Sequence, residues 1–426
     1  MPRLNELAAT ETVRLIADGT TTARAVIEAC LEQIARREPA VLAFEHLDAD
    51  GARASADALD CHGTGGPMTG VGFGIKDIID TVGMPTGYGS PIHAGHRPSA
   101  DAACVALSRK AGGIALGKTV TTEFANIHPG KTRHPMDPER TPGGSSSGSA
   151  AAVAALMLPL ALGTQTTSST IRPASFCGVV GFVPGFGEIT CSGVRQAAGS
   201  LDRLGLFARS VPDIALYFDV LRGEAPGASP ESSAFAPSIG YCRVHLVERM
   251  EPGTAALLDG LAVRLSTAGA NVGDVAVPPE FAALTDEHRW ISSYEFVRNF
   301  TYEIEHHWDR ISATLREGRI AHGRSCTEAQ YRTAQRRAGA ARADLDLLFG
   351  PHDVLLAAAA AGEAPRGTAT GDFAFCAMWT VLGLPTLSLP LLTGPAGLPI
   401  GAQLLARPGQ EAQLLAAGAW IMQRGG

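Results

Sequence analysis

The chain has 426 residues, 45% of them hydrophobic and 18% charged, with a net charge of −7. That supports a large buried core and excludes a disordered chain, and the negative balance leaves no basic footprint for nucleic acid. No purely apolar run reaches the length of a membrane span; Ala150 to Leu162 comes nearest and is too short.

In chain order, residues 5–37 carry apolar side chains at helical spacing and predict two amphipathic helices. The start of this region is periodic and not signal-like, so a cytoplasmic protein is expected. Residues 71–82 read as an apolar strand ending at the turn Gly83-Met84-Pro85. A helix follows over 99–111, with Ser99 as its cap, and then a strand over 112–119. A Gly/Ser segment, 143–149, leads into an Ala-rich helix over 149–157, and 158–166 reads as the next strand. Residues 222–235 are rich in Gly, Pro and Ser and read as a long loop. Residues 252–347 read as mostly helical, 353–358 and 382–392 as strands, and 409–422 as a closing helix. Alternating strands and helices predict an α/β fold, its central sheet at least partly parallel. One domain over 1–426 is expected, with 240–350 a variable helical subregion packed against it.

Chemistry enters through lysine. Only four lysines occur, Lys76, Lys110, Lys118 and Lys131, among 35 basic residues. Arg serves as a surface cation, but only Lys can lose its proton when desolvated and act as a base. Lys76 lies in the apolar, glycine-rich GVGFGIKDIID (70–80). Two hydroxyl-rich segments follow, TPGGSSSGSAAAVAA (141–155) and GTQTTSSTIRPAS (163–175). A neutral lysine upstream of two serine clusters suggests a serine nucleophile activated without histidine. Other motifs are weaker. GGIALGKT (112–119) matches a phosphate loop letter for letter, but its apolar centre and preceding helix favour a strand, with Lys118 structural or at a site rim. GSSSG (144–148) fits a nucleophile elbow around Ser146 without an apolar strand leading in. The histidine pairs at 93/96 and 306/307 lack partners at ligand spacing, and the eight scattered cysteines read as reduced, so no metal or other cofactor is expected.

These segments, with GKTVTTEFA (117–125), SLDRLGLFARSV (200–211) and the C-terminal stretch 383–409, closely resemble the amidase signature family. The resemblance implies a mixed, largely parallel sheet with helices on both sides, and a Ser–cis-Ser–Lys triad. Carried over by position, Lys76 is the base, Ser145 the cis serine, and Ser169, 24 residues further on, the nucleophile. The main-chain N–H groups of Thr166, Thr167, Ser168 and Ser169 would hold the oxyanion. Thr167 and Ser168 stand where the family usually has glycine, so a left-handed backbone there would carry strain and a reshaped hole. The resemblance also implies that the helical region caps a substrate funnel, which makes Trp290, Tyr294 and Trp379 candidate substrate-binding residues. An aromatic, apolar site would suit a small, mostly uncharged aryl or alkyl amide, with esters and carbamates as further substrates. A monomer or homodimer is expected, acting without nucleic acid or membrane. A non-catalytic binding protein and a glutamine amidotransferase subunit remain alternative readings.

Overall fold

The computed structural model describes residues 3–63, 65–225, 227 and 236–425. Most of the loop expected over 222–235 lies outside them. Eleven strands form one sheet: β1 (Phe44–Leu47), β2 (Gly72–Lys76), β3 (Ile114–Thr119), β4 (Leu160–Gln165), β5 (Val180–Val183), β6 (Arg203–Ala208), β7 (Ser238–Tyr241), β8 (Asn271–Asp274), β9 (Val354–Ala358), β10 (Thr386–Thr393) and β11 (Pro399–Leu405). Their order is β1-β3-β2-β4-β6-β5-β10-β11-β9-β7-β8. The α/β class is the one expected, and the sheet is mixed. Parallel pairing joins β3, β2 and β4 near one edge and β9, β7 and β8 at the other. The strands between are antiparallel.

Strand alternation explains why both faces must be covered. Leu160, Leu162, Leu204 and Leu206 enter one apolar core, while Ala161 and Phe207 enter a second. Every residue of β2, β3, β4, β5, β6 and β9 is buried. Strands buried on both faces read as continuous apolar runs, which is how they appear in the sequence.

The second core includes Ala150–Val153 of the helix Ser147–Ala154. Its small side chains let it lie close against the sheet. At Gly148 a Cβ would collide with the main chain of Ala43 and Val120, so glycine is required there. The expected N-terminal helices are Ala9–Ala17 and Ala23–Val41, the second capped by Thr22 accepting from Ala25 N–H at 3.1 Å. The helix expected over 99–111 starts only at Ala103. Ser99 does not cap it, and Asp101 instead holds Val82 N–H at 2.7 Å and Arg109. Within 252–347, β8 interrupts the helices; four residues, Asn271–Asp274, carry too little pattern to announce a strand.

Candidate active site

β2 and β4 run parallel, and their carboxyl ends meet the Gly/Ser turn that starts the helix Ser147–Ala154. That end of parallel strands is where α/β sheets bind ligands. Lys76, the last residue of β2, is fully buried. Its Nζ lies 2.7 Å from Ser145 Oγ and 2.8 Å from Thr164 Oγ1. Burial holds this amine well below the ordinary lysine range, opposed by the charge of Asp202. A neutral amine can accept from one hydroxyl and donate to the other. The adjacent Asp77 does not face it. Its carboxylate lies 3.8 Å from the buried Lys118 amine on β3 and accepts from Gly87 N–H at 3.0 Å.

Ser145 follows Gly143, whose φ is +81°, and the Gly144–Ser145 peptide bond is cis, as the resemblance implied. Ser146, the serine of the elbow-like motif, is fully buried and bonds the main chain of Thr164, so it is a brace. Lys118, on β3, donates to Ile79 O and, at 2.8 Å, to Thr86 Oγ1. The phosphate-loop match is therefore a strand with a structural lysine.

Residues 166–169 form the loop between β4 and the helix Ile171–Cys177. Neither Thr167 nor Ser168 has positive φ, so the strain expected from the missing glycines does not arise. Each carbonyl of the loop is instead tied to surrounding structure. Thr166 O accepts from His288 Nε2 at 2.9 Å, Thr167 O from Thr380 Oγ1 at 2.7 Å, Ser168 O from Arg172 N–H at 3.1 Å, and Ser169 O from Ser146 N–H at 3.2 Å. In a trans peptide the C=O and the following N–H point oppositely, so these ties turn the next N–H groups the other way. Among the described residues the N–H groups of 166–169 have no acceptor. Arg172 braces the turn from Nη2 to Gly144 O at 2.7 Å and from Nη1 to Gly371 O at 2.9 Å.

All four loop residues line a cavity of about 50 Å³, with Asn126, Ile127, Arg172, Ser292, Phe296, Arg319 and Phe373 among its walls. It shares Asn126, Ile127, Arg319 and Phe373 with an outer chamber of about 340 Å³. Ser169 lines the inner cavity, and among the described residues no side chain bonds its hydroxyl. Lys76 and Ser145 are buried and are not among the cavity's lining residues.

The aromatic candidates need correction: among the described residues none of Trp290, Tyr294 and Trp379 lines either chamber. The helix Leu284–Asn299 turns His288, Ser292 and Phe296 toward the loop and cavity. Trp290 and Tyr294 are two residues out of phase, about 200° around the helix, and point away. Trp290 stacks on His322 at 4.5 Å and Tyr294 on Tyr331 at 4.2 Å. Trp379 is buried against His245, with ring centroids 5.3 Å apart.

The sequence reading also missed Arg319, which sits in a π-helical turn, Arg316–Ile320, a feature common at functional sites. Its guanidinium bonds Ser292 Oγ and, at 3.3 Å, Ser293 Oγ. No carboxylate hydrogen-bonds it among the described residues, and burial, opposed by the charge of Asp202, lowers its pKa to about 10, leaving it cationic near neutral pH. Asp202, beneath the loop, is pushed up to about 6 by burial, opposed by the Thr166 hydroxyl and the N–H groups of Ala198 and Ala197.

Residues 25–415 match the family model Amidase. One subunit of the glutamyl-tRNA(Gln) amidotransferase of Chloroflexus aurantiacus is 34% identical, over 98% of this chain and 96% of its own. A crystal structure of an amidase superposes with a TM-score of 0.91 at 30% identity, covering 99% of this chain and 100% of the other. A 6-aminohexanoate cyclic dimer hydrolase gives 0.87 at 26% identity, covering 99% and 97%. With a buried lysine against a serine at the carboxyl end of the sheet, and this similarity along nearly its whole length, the chain belongs to the amidase signature family.

Proposed function

We propose that this chain hydrolyses the C–N bond of a small amide through an acyl-enzyme on Ser169. The carrying observation is the 2.7 Å contact between Ser145 and the buried Lys76 amine, which burial holds well below the ordinary lysine range. In this reading Lys76 takes a proton from Ser145, which takes one from Ser169 as its oxygen attacks the carbonyl carbon. The N–H groups of Thr166–Ser169 receive the developing oxyanion. Collapse expels the amine, protonated back through Ser145, and a water activated by the same relay releases the acid. Esters and carbamates fit the same acyl chemistry. Residues 240–350 act as a cover within one catalytic domain, contributing Ser292, Phe296 and Arg319 to the cavity.

Arg319 changes the substrate class expected from sequence. A guanidinium without a carboxylate partner, set among Phe296, Ile127 and Phe373, favours an amide that carries a carboxylate or another strong acceptor on a short apolar frame. The test is hydrolysis of matched amides with and without a carboxylate by wild type and Ser169→Ala. Turnover that persists in the variant removes Ser169 as nucleophile, and a preference for the neutral amide removes the role of Arg319. A second reading, glutamine hydrolysis for a tRNA-dependent amidotransferase, is favoured by the 34% identity to one component of that enzyme. Glutamine carries such a carboxylate, so glutaminase activity by the isolated chain, and its stimulation by partner subunits, decides it.

A further inference from the structure

We propose that His288 is a positioning residue for the oxyanion-binding loop. This rests on the reading of Ser169 as nucleophile. The backbones of Thr167 and Ser168 stay in the ordinary regions with φ below zero. The direction of the loop's N–H groups must then be set from outside. The carbonyl of Thr166 belongs to the same rigid peptide plane as the N–H of Thr167. Fixing that carbonyl on His288 Nε2, at 2.9 Å, fixes the N–H on the opposite side.

His288 suits this task. It is buried, and burial brings its pKa down to about 4, so the ring is neutral in the working range. Its Nε2–H donates to the Thr166 carbonyl, which fixes the tautomer. His288, Ser292 and Phe296 stand at i, i+4 and i+8 on one helix, sharing one face. Ser292 holds Arg319, and Phe296 lines the cavity. The helix that holds the loop's first carbonyl therefore also carries the substrate wall. Thr380 gives the next carbonyl a second, independent hold from the helix Ala374–Leu382.

The experiment compares His288→Gln, which keeps a donor near the Nε2 position, with His288→Asn, which is too short to reach. Both are polar and similar in bulk, and thermal unfolding verifies that both fold. Steady-state hydrolysis of p-nitroacetanilide, and labelling of Ser169 by a fluorophosphonate, are the readouts. The expected result is a kcat for His288→Asn lower by about 10-fold or more, approaching the 10²–10³ seen when an oxyanion donor is lost outright. KM should stay within about twofold, because the loss belongs to the transition state. His288→Gln should recover most of the rate. Equal kcat in the two variants, or a loss carried by KM, overturns the role of His288. A wild type that neither turns over nor labels at Ser169 overturns the nucleophile reading instead.

Discussion

Thr164 is the sharpest test of how the Lys76 amine is held. Thr164→Val removes the hydroxyl 2.8 Å from Nζ and substitutes a methyl of similar shape, leaving the 2.7 Å contact with Ser145 in place. A buried N–H left without its acceptor costs about 1–3 kcal/mol. If that bond aims the amine lone pair at Ser145, the cost appears in the barrier, and at 1.36 kcal/mol per decade kcat falls about 5- to 150-fold. Thr164 does not line the cavity, so KM should not move. The pH profile carries a second signature. An acceptor stabilises the ammonium more than the amine, so its removal lowers the lysine pKa further. The active, neutral form then persists to lower pH, and the acid limb of the kcat profile moves toward acid. The assay is release of p-nitroaniline from p-nitroacetanilide across pH, with Thr164→Ser as the variant that restores the hydroxyl. Wild-type kcat in Thr164→Val, or an acid limb displaced toward higher pH, refutes the reasoning.

Lys76→Arg places a cation that cannot deprotonate where a base is needed, and should lower kcat by about 10²–10⁴, read by the same assay. In wild type the rate should rise with pH as the Lys76 ammonium, already depressed by burial, loses its proton; a rate that falls through that limb assigns the base elsewhere. Arg319→Met should raise KM for a carboxylate-bearing amide by about 10- to 150-fold, the loss of one charge-assisted hydrogen bond worth 1.5–3 kcal/mol, and leave a neutral anilide unchanged. Gly148→Ala drives a methyl into the main chain of Ala43 and Val120, so thermal unfolding should report a loss of roughly 1–3 kcal/mol or more.

What the sequence makes visible is whatever rests on backbone geometry and local spacing. The strand ending in Lys76 is announced by its apolar run, and the turn carrying Ser145 by its glycines. The parallel strands β2 and β4 then bring Lys76 to Ser145 across 69 positions of sequence. The cavity wall is not visible in this way. Trp290 and Tyr294 are the largest rings of their helix and pack against neighbouring aromatic rings, while the side facing the loop is His288, Ser292 and Phe296. Large rings on a helix mark packing as readily as a binding wall, so ring size alone points to the wrong face. Arg319 is one arginine among many, and only the helices around Ser292 and Ser293 set it apart. The replaced glycines misled in the opposite sense. They suggested strain at Thr167 and Ser168, whereas two of the four carbonyl contacts that hold this loop come from residues more than 100 positions away, His288 and Thr380.

The burial of two lysines has a practical consequence. Lys76 and Lys118 are sealed inside the sheet, whereas Lys110 and Lys131 are exposed. Among the lysine side chains, an amine-reactive ester therefore meets only these two. Lys110 ends the helix Ala103–Lys110, and neither residue lines the two chambers beside Ser169. Coupling through these amines would tether the protein to a support in few orientations, with the substrate entrance free of modified side chains.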